Sequence, residues 1–318
     1  MSLHEKIGVL ILLAIILIIG MTAGVFFLRA IWNRWFRHEA KPLGRRARKL
    51  RTASWTLSLI GLCCLGWSFY EPYWPEVTHT VIESDKLAGL TKPIRLVQLS
   101  DFHCDATRRA EDTVIETVRD LKPDLIVLTG DYTNSPAGAD TFRSTLNALV
   151  KIAPTYLVRG NWDYYHPSCR PWENTGATVL DGRAAAVCAN GVVFRLAGAG
   201  HERDDEIQTA LDALASRPAG QFGLMLYHHT RRAREIAASG HVDLLLAGHT
   251  HGGQLCLPVY GAVVTLSGEG KSLEAGRYQL GDTTLYIHRG IGMEGGRAPR
   301  IRFLARPEIA LIELRGTK

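Results

Sequence analysis

Apolar and polar positions divide the chain into two unlike parts. From Ile7 to Leu28 run 22 residues without a charge, close to the roughly 20 that cross a bilayer as a helix. A secretory signal peptide has a shorter apolar core of about 7–15 residues, and no small-residue cleavage site follows here. A second uncharged run, Ala53 to Tyr70, is closed by Trp67, Tyr70, Tyr73 and Trp74. Such aromatic side chains favour the membrane–water interface. The pattern predicts a transmembrane hairpin, with spans at about 7–28 and 53–70, in an anchor covering residues 1–75.

After "EPYWPEV" the period changes. "IRLVQLSD" (Ile94–Asp101), "DLIVLTGD" (Asp124–Asp131) and "TYLVRGN" (Thr155–Asn161) are short apolar runs rich in β-branched residues. Helical patterns separate them, one from about Ala110 with Val114, Val118 and Leu121 on one face, the next near Asp140–Val150. Short strands follow around Val179, Val187 and Val192–Gly198. A helix near Asp205–Ser216 precedes "FGLMLYH" (Phe222–His228), and another precedes "HVDLLLAGH" (His241–His249). The tail reads as a hairpin around Gly281-Asp282 and a closing strand, Ile309–Arg315. Strand–helix alternation early and hairpins late predict a mixed α/β domain over residues 76–318.

Charge confirms the division and removes one class of function. Residues 1–51 carry 10 Lys+Arg against 2 Asp+Glu; the rest carry 27 against 29 (37−10 and 31−2). The net charge of +6 therefore belongs to the N-terminal segment, and nucleic-acid binding loses its support. Nine of those basic residues lie between the two apolar runs, in "RAIWNRWFRHEAKPLGRRARKLR". Short loops dense in Lys and Arg stay in the cytoplasm. Both ends of the hairpin then face outward, which predicts a multi-pass protein of the inner (cell) membrane with an extracytoplasmic catalytic domain.

Cys63 and Cys64 sit in the second apolar run as small fillers. Cys104, Cys169, Cys188 and Cys256 show no C-x-x-C spacing, which argues against a thiolate zinc site.

The polar residues that stand out all sit where an apolar run stops. They are Asp101-Phe102-His103, Gly130-Asp131, Gly160-Asn161-Trp162-Asp163, His228-His229 and Gly248-His249-Thr250-His251. A lone Asp after a strand is ordinarily a turn former, and a lone His a surface or satisfied core residue. Five such endings in one domain need another reason. Open α/β sheets bind ligands beyond the carboxyl ends of their strands. Oxygen and imidazole donors without thiolate suit Mn²⁺, Fe or Zn²⁺. In Asp-x-His and His-x-His, alternation along an extended segment turns both side chains to one face.

Here the chain resembles the calcineurin-like metallophosphoesterases, whose pattern is D-x-H, G-D, G-N-H-(D/E), a lone H and G-H-x-H. Four of the five blocks match as they stand, in order, between Asp101 and His251. The resemblance runs from about residue 93 to the C-terminus. "GHTHGGQ" and "RGIG…PRIRFLARPEIALIEL" look most like the bacterial membrane-anchored phosphodiesterase branch, the YkuE/YaeI type.

The resemblance implies a four-layer α-β-β-α sandwich of two mixed sheets, and two divalent metal ions. It implies that Asp101, His103 and His251 hold the first metal, that Asp131 bridges, and that Asn161, His228 and His249 hold the second. A bridging hydroxide would attack phosphorus. His228 is preferred to His229 because it directly follows the apolar run; an exchange of their roles stays open. One block departs: Trp162 stands where the family has the histidine that protonates the leaving group. His166, His201 and His229 are the candidate replacements, and the sequence does not rank them.

The leading expectation is a membrane-tethered phosphoesterase acting on a phospholipid or another lipid-linked phosphodiester or diphosphate. One alternative is hydrolysis of the diphosphate of UDP-2,3-diacylglucosamine in lipid A synthesis, which would need the domain in the cytoplasm. The alternative outside enzymes is a metal-binding membrane scaffold or sensor.

Overall fold

The computed structural model describes residues 3–36, 43–201, 203–295 and 300–317. They form two compact units that divide between Tyr70 and Glu71.

The first unit is a pair of helices, α1 (Leu3–Phe36) and α2 (Arg45–Tyr70). At about 1.5 Å per residue they reach roughly 50 Å and 39 Å, more than the ~30 Å hydrocarbon core of a bilayer. Phe27 of α1 meets Trp55 of α2 edge to face, with ring centroids 6.3 Å apart. Both helices are longer than the apolar runs that announced them. Helix α1 continues through Arg29 and Arg34, and α2 begins at Arg45. Much of the basic segment expected as a loop is therefore helical, because Arg, Lys, Ala and Leu are good helix formers whatever their polarity. Its centre, residues 37–42, lies outside the described residues.

The second unit holds two six-stranded sheets. In the first, β1 (Glu76–Ser84) lies beside β14 (Glu308–Gly316), followed by β2 (Ile94–Leu99), β3 (Leu125–Leu128), β4 (Thr155–Leu157) and β5 (Thr178–Val179). All neighbours are parallel except β14 and β2. In the second, β12 (Gly276–Leu280) precedes β13 (Thr283–Ile287), β9 (Leu244–Ala247), β8 (Gly223–Tyr227), β7 (Val192–Ala199) and β6 (Arg183–Ala189). Its two outer pairs are antiparallel and its inner pairs parallel. A small hairpin, β10 (Cys256–Leu257) with β11 (Gly261–Ala262), stands apart.

Alternation along the strands decides the layering. Leu96, Val127, Leu196, Leu226 and Leu246 point between the sheets into one core. Their neighbours Val97, Leu99, Ile126 and Leu128 point the other way, onto α3 (Glu111–Leu121) and α4 (Ala139–Leu149) through Val114, Val118, Phe142 and Leu146. On the far side Met225, Leu245 and Leu285 pack under α6 (Asp204–Ala215) and α7 (Ala233–Ala238). Three cores separate four layers, α-β-β-α. The short helix α5 (Asn161–Tyr165) starts where β4 ends.

Candidate metal centre

The parallel neighbours β2, β3 and β4 end on the same side of their sheet, as β8 and β9 do in theirs, so their loops meet at one edge of the sandwich. Backbone bonds lock the endings together: Asp101 N–H donates to Gly130 O at 2.9 Å, His103 N–H to Asp131 O at 3.0 Å, and Gly248 N–H to His228 O at 2.9 Å. All seven residues expected as ligands are brought to this edge, and Asp101, His103, Asp131, Asn161, His228 and His251 are buried.

The chain bends sharply to do this. Asp101, His103, Asp131, His249 and His251 have φ between 42° and 70°. Left-handed backbone is uncommon outside glycine, and its concentration on five candidate ligands marks a functional site. Gly130 has φ 96°, and a Cβ there would lie 2.6 Å from His228 Nδ1. A side chain cannot enter that space.

Two donor groups result. In one, His103 Nε2 and His251 Nε2 are 3.1 Å apart, and Asp101 Oδ1 lies 3.5 Å from His251 Nε2. In the other, Asn161 Oδ1 lies 3.1 Å from His228 Nε2 and 2.9 Å from His249 Nδ1. Asp131 Oδ2 faces both groups, 3.6 Å from His103 Nε2 and 3.3 Å from His228 Nε2. Its position is that of a bridge.

The tautomers follow from the outer bonds. Asn134 turns its amide N–H to His103 O and Met293 O, so its Oδ1 is the acceptor, 2.9 Å from His103 Nδ1. His103 therefore carries its proton on Nδ1 and aims a bare Nε2 inward. His228 Nδ1 donates to Thr129 O at 2.5 Å, which directs Nε2 at Asp131 and Asn161 in the same way. Acceptors thus converge on acceptors. In the metal-free chain only a proton relieves this: burial opposes charge on His228, but Asp131 outweighs it and raises the pKa to about 9. Burial pushes the Asp131 carboxyl up, and the charge and hydrogen bond of His228 bring it well below the usual carboxylate range. Burial lowers His103 to about 4 and His249 to about 3, keeping both neutral, the form that binds metal. The donor set fits divalent cations.

His229 lies differently from His228. Its Nδ1 accepts from Arg231 N–H at 3.0 Å, and its ring stacks on His249 with centroids 3.9 Å apart. His201 reaches the same stack, 5.7 Å from the His229 ring. Trp162 donates its backbone N–H to Asp131 Oδ1 at 2.8 Å and presents its ring edge-on to His103, centroids 5.4 Å apart.

Four residues to which the sequence pattern assigns no role complete the site. Asp163 accepts from the backbone N–H of Gly160, Asp131 and Tyr132 at 2.8–3.0 Å, clamping two strand ends. Asn134 orients His103. Arg302 is fully buried and donates to the carbonyls of Ala305, Arg289 and His251 at 2.8, 3.0 and 3.3 Å. Burial, with Asp131 adding to it, raises the pKa of Glu294, and the Trp162 side chain opposes the rise. Asp163 alone was visible beforehand, as the last residue of the G-N-W-D block.

Comparison with known proteins follows the same residues. A family model described as calcineurin-like phosphoesterase matches residues 94–253. The chain is 32% identical over 265 residues to the uncharacterized metallophosphoesterase YkuE of Bacillus subtilis, covering 78% of this chain and 88% of that one. It is 30% identical over 258 residues to the phosphodiesterase YaeI of Escherichia coli, covering 77% and 90%. A transmembrane protein with metallophosphoesterase domain from Danio rerio is 28% identical over 266 residues, covering 76% of this chain and 57% of that protein.

Proposed function

This chain belongs to the calcineurin-like phosphoesterase family of metal-dependent phosphoester hydrolases, and from that premise we propose a membrane-tethered phosphodiesterase acting on a lipid-linked phosphodiester or diphosphate. The observation that carries the metal reading is the convergence of acceptors on Asp131 Oδ2, which faces His103 Nε2 at 3.6 Å and His228 Nε2 at 3.3 Å. Asp101, His103 and His251 would hold one cation, Asn161, His228 and His249 the other, and Asp131 both. When bound, two such cations make water acidic and draw charge from phosphoryl oxygens.

The chain's own groups set the rest. Trp162 stands edge-on to His103, and Glu294, whose carboxyl pKa is raised by burial and by Asp131, is the candidate leaving-group acid. Diester chemistry is supported by the name of YaeI. Membrane attachment is supported by α1 and α2, both long and apolar enough to cross a bilayer, and by the transmembrane relative. The Lys/Arg-rich segment between them supports an extracytoplasmic domain at the cell membrane.

The test is metal analysis of the purified full chain together with turnover on a panel of phosphoesters. Two equivalents of metal and a preference for diesters are expected. Asp131→Asn should lower both metal content and turnover, by roughly 10²-fold or more in rate, as it removes one anionic oxygen between two cations. Equal metal content and rate in that variant would remove the assignment. A reporter active only outside the cytoplasm, fused after residue 75, tests the sidedness.

A further inference from the structure

The second unit begins at Glu71, directly after α2 in the chain, and Glu71 is buried. Its carboxylate accepts from Leu304 N–H at 2.9 Å and Ala305 N–H at 2.6 Å. Leu304 thus lies against the first residue of this unit. Phe303 O accepts from Cys256 N–H at 2.8 Å, which sets the β10–β11 hairpin beside Leu304. The hairpin tip, Pro258-Val259-Tyr260, is at most four residues from Cys256 along the chain, within about 14 Å of it.

This rim exposes large apolar side chains. Tyr73, Trp74, Val259, Tyr260 and Leu304 are each at least 43% exposed, and Val259 is bare to solvent. Val259 and Leu304 hold φ of 68° and 53°, an outlying conformation for bulky residues. Two cations lie over the aromatic rings: Arg306 is 3.9 Å from the Trp74 centroid and Lys271 4.2 Å from that of Tyr260. Their acidic partners are Glu76 and Glu274. Apolar tips accompanied by Trp, Tyr, Lys and Arg have the composition of a membrane–water interface.

We infer that Val259, Tyr260, Leu304 and Trp74 form a membrane-contact surface, seated in the headgroup region of the bilayer that holds α2. The inference rests on the reading of α1 and α2 as membrane helices. Covalent geometry argues for the bilayer as occupant: if α2 crosses it, Leu304 is hydrogen-bonded to the first residue beyond the span. The surface also borders the metal centre, since only Gly252 to Leu255 separate His251 from β10. A lipid headgroup phosphate drawn from the same leaflet would enter the site from this side.

Hydroxyl-radical footprinting of the full chain in phosphatidylcholine–phosphatidylglycerol nanodiscs tests it. Leu17 and Leu62, exposed faces of α1 and α2, report whether the helices are in lipid; Val193, 46% exposed at another edge, is the solvent reference. Val259, Tyr260 and Leu304 should be oxidised roughly tenfold less than Val193. If Leu17 and Leu62 are oxidised as fast as Val193, the membrane reading fails. If they are protected while Val259 and Leu304 react like Val193, the contact surface fails alone. Val259→Asp and Leu304→Asp should abolish protection of the neighbouring Tyr260 and leave hydrolysis of a soluble aryl phosphodiester within about twofold, as neither touches the metal centre. Retained Tyr260 protection in both variants would likewise reject the surface.

Discussion

An indole can donate a hydrogen bond but has no proton to transfer at neutral pH, so Trp162 cannot do what the family histidine does. The carboxyl that interacts with the Trp162 side chain is Glu294, whose pKa is raised by burial and by Asp131. His229 is less suited, since its Nδ1 is taken by Arg231 N–H and its ring lies flat on His249. Proton delivery to a leaving group is worth about 10²–10⁴-fold, and most for alkoxides of high pKa. Glu294→Gln keeps the size of the side chain and removes the carboxyl that could deliver a proton. It should slow alkyl diesters by about 10²-fold, leave activated aryl diesters within a few fold, and keep the metal content. A uniform loss over both ester classes would assign Glu294 a structural role instead. Trp162→His should raise alkyl-diester rates selectively in the Glu294→Gln background; no gain there would mean that the indole position is not beside the leaving group.

Strand ends, and not the strands themselves, carry the site, and they were legible because each polar ending interrupts an apolar run. The strands β2, β3, β4, β8 and β9 were legible for the same reason. Strand β1 was not: "EVTHTVIES" alternates weakly at a sheet edge, and only its parallel register with β14 makes it a strand. Asn134, Glu294 and Arg302 were invisible because their roles depend on contacts across the fold; Gly295 N–H bonds Asn134 Oδ1 over 161 positions of sequence. Asp163 is the element-level counterpart of the ligands, joining the end of β3 to the start of α5 through three backbone N–H groups. Asp163→Asn leaves at most one strong acceptor for these donors, and each unsatisfied buried donor costs about 1–3 kcal/mol. The variant should lose stability by about that amount and bind metal more weakly, as read by thermal unfolding with and without Mn²⁺. Unchanged unfolding in both conditions would show that the clamp is not needed.

The two sheets are joined at their upper edge by charged and imidazole groups in place of apolar ones, so the metal-free molecule should be sensitive to pH on both sides. His288 adds a buried imidazole away from the ligand set: its Nδ1 accepts from Gly290 N–H at 2.8 Å, and burial lowers its pKa from 6.5 to about 4. The folded pKa lies below the unfolded one. Its contribution is therefore complete above about pH 6.5 and is lost as the pH falls towards 4, because the unfolded chain takes the proton first. His103 and His249 act in the same direction. His228, raised to about 9, acts oppositely: its contribution is present below about 6.5 and disappears as the pH rises through 9. Asp101 and Asp163, raised to about 7 chiefly by burial, act against the imidazoles in the acid window. The contribution of His288 is therefore read as a difference between two proteins, from unfolding of the full chain in detergent and chelator followed by tryptophan fluorescence. His288→Asn retains an oxygen for Gly290 N–H in the position of Nδ1 but cannot titrate. The stability it loses between pH 6.5 and 4.5 should be smaller than the wild-type loss by about 2–3 kcal/mol, from two pH units at about 1.4 kcal/mol each. Parallel losses in the two proteins would mean that His288 is already protonated in the folded chain.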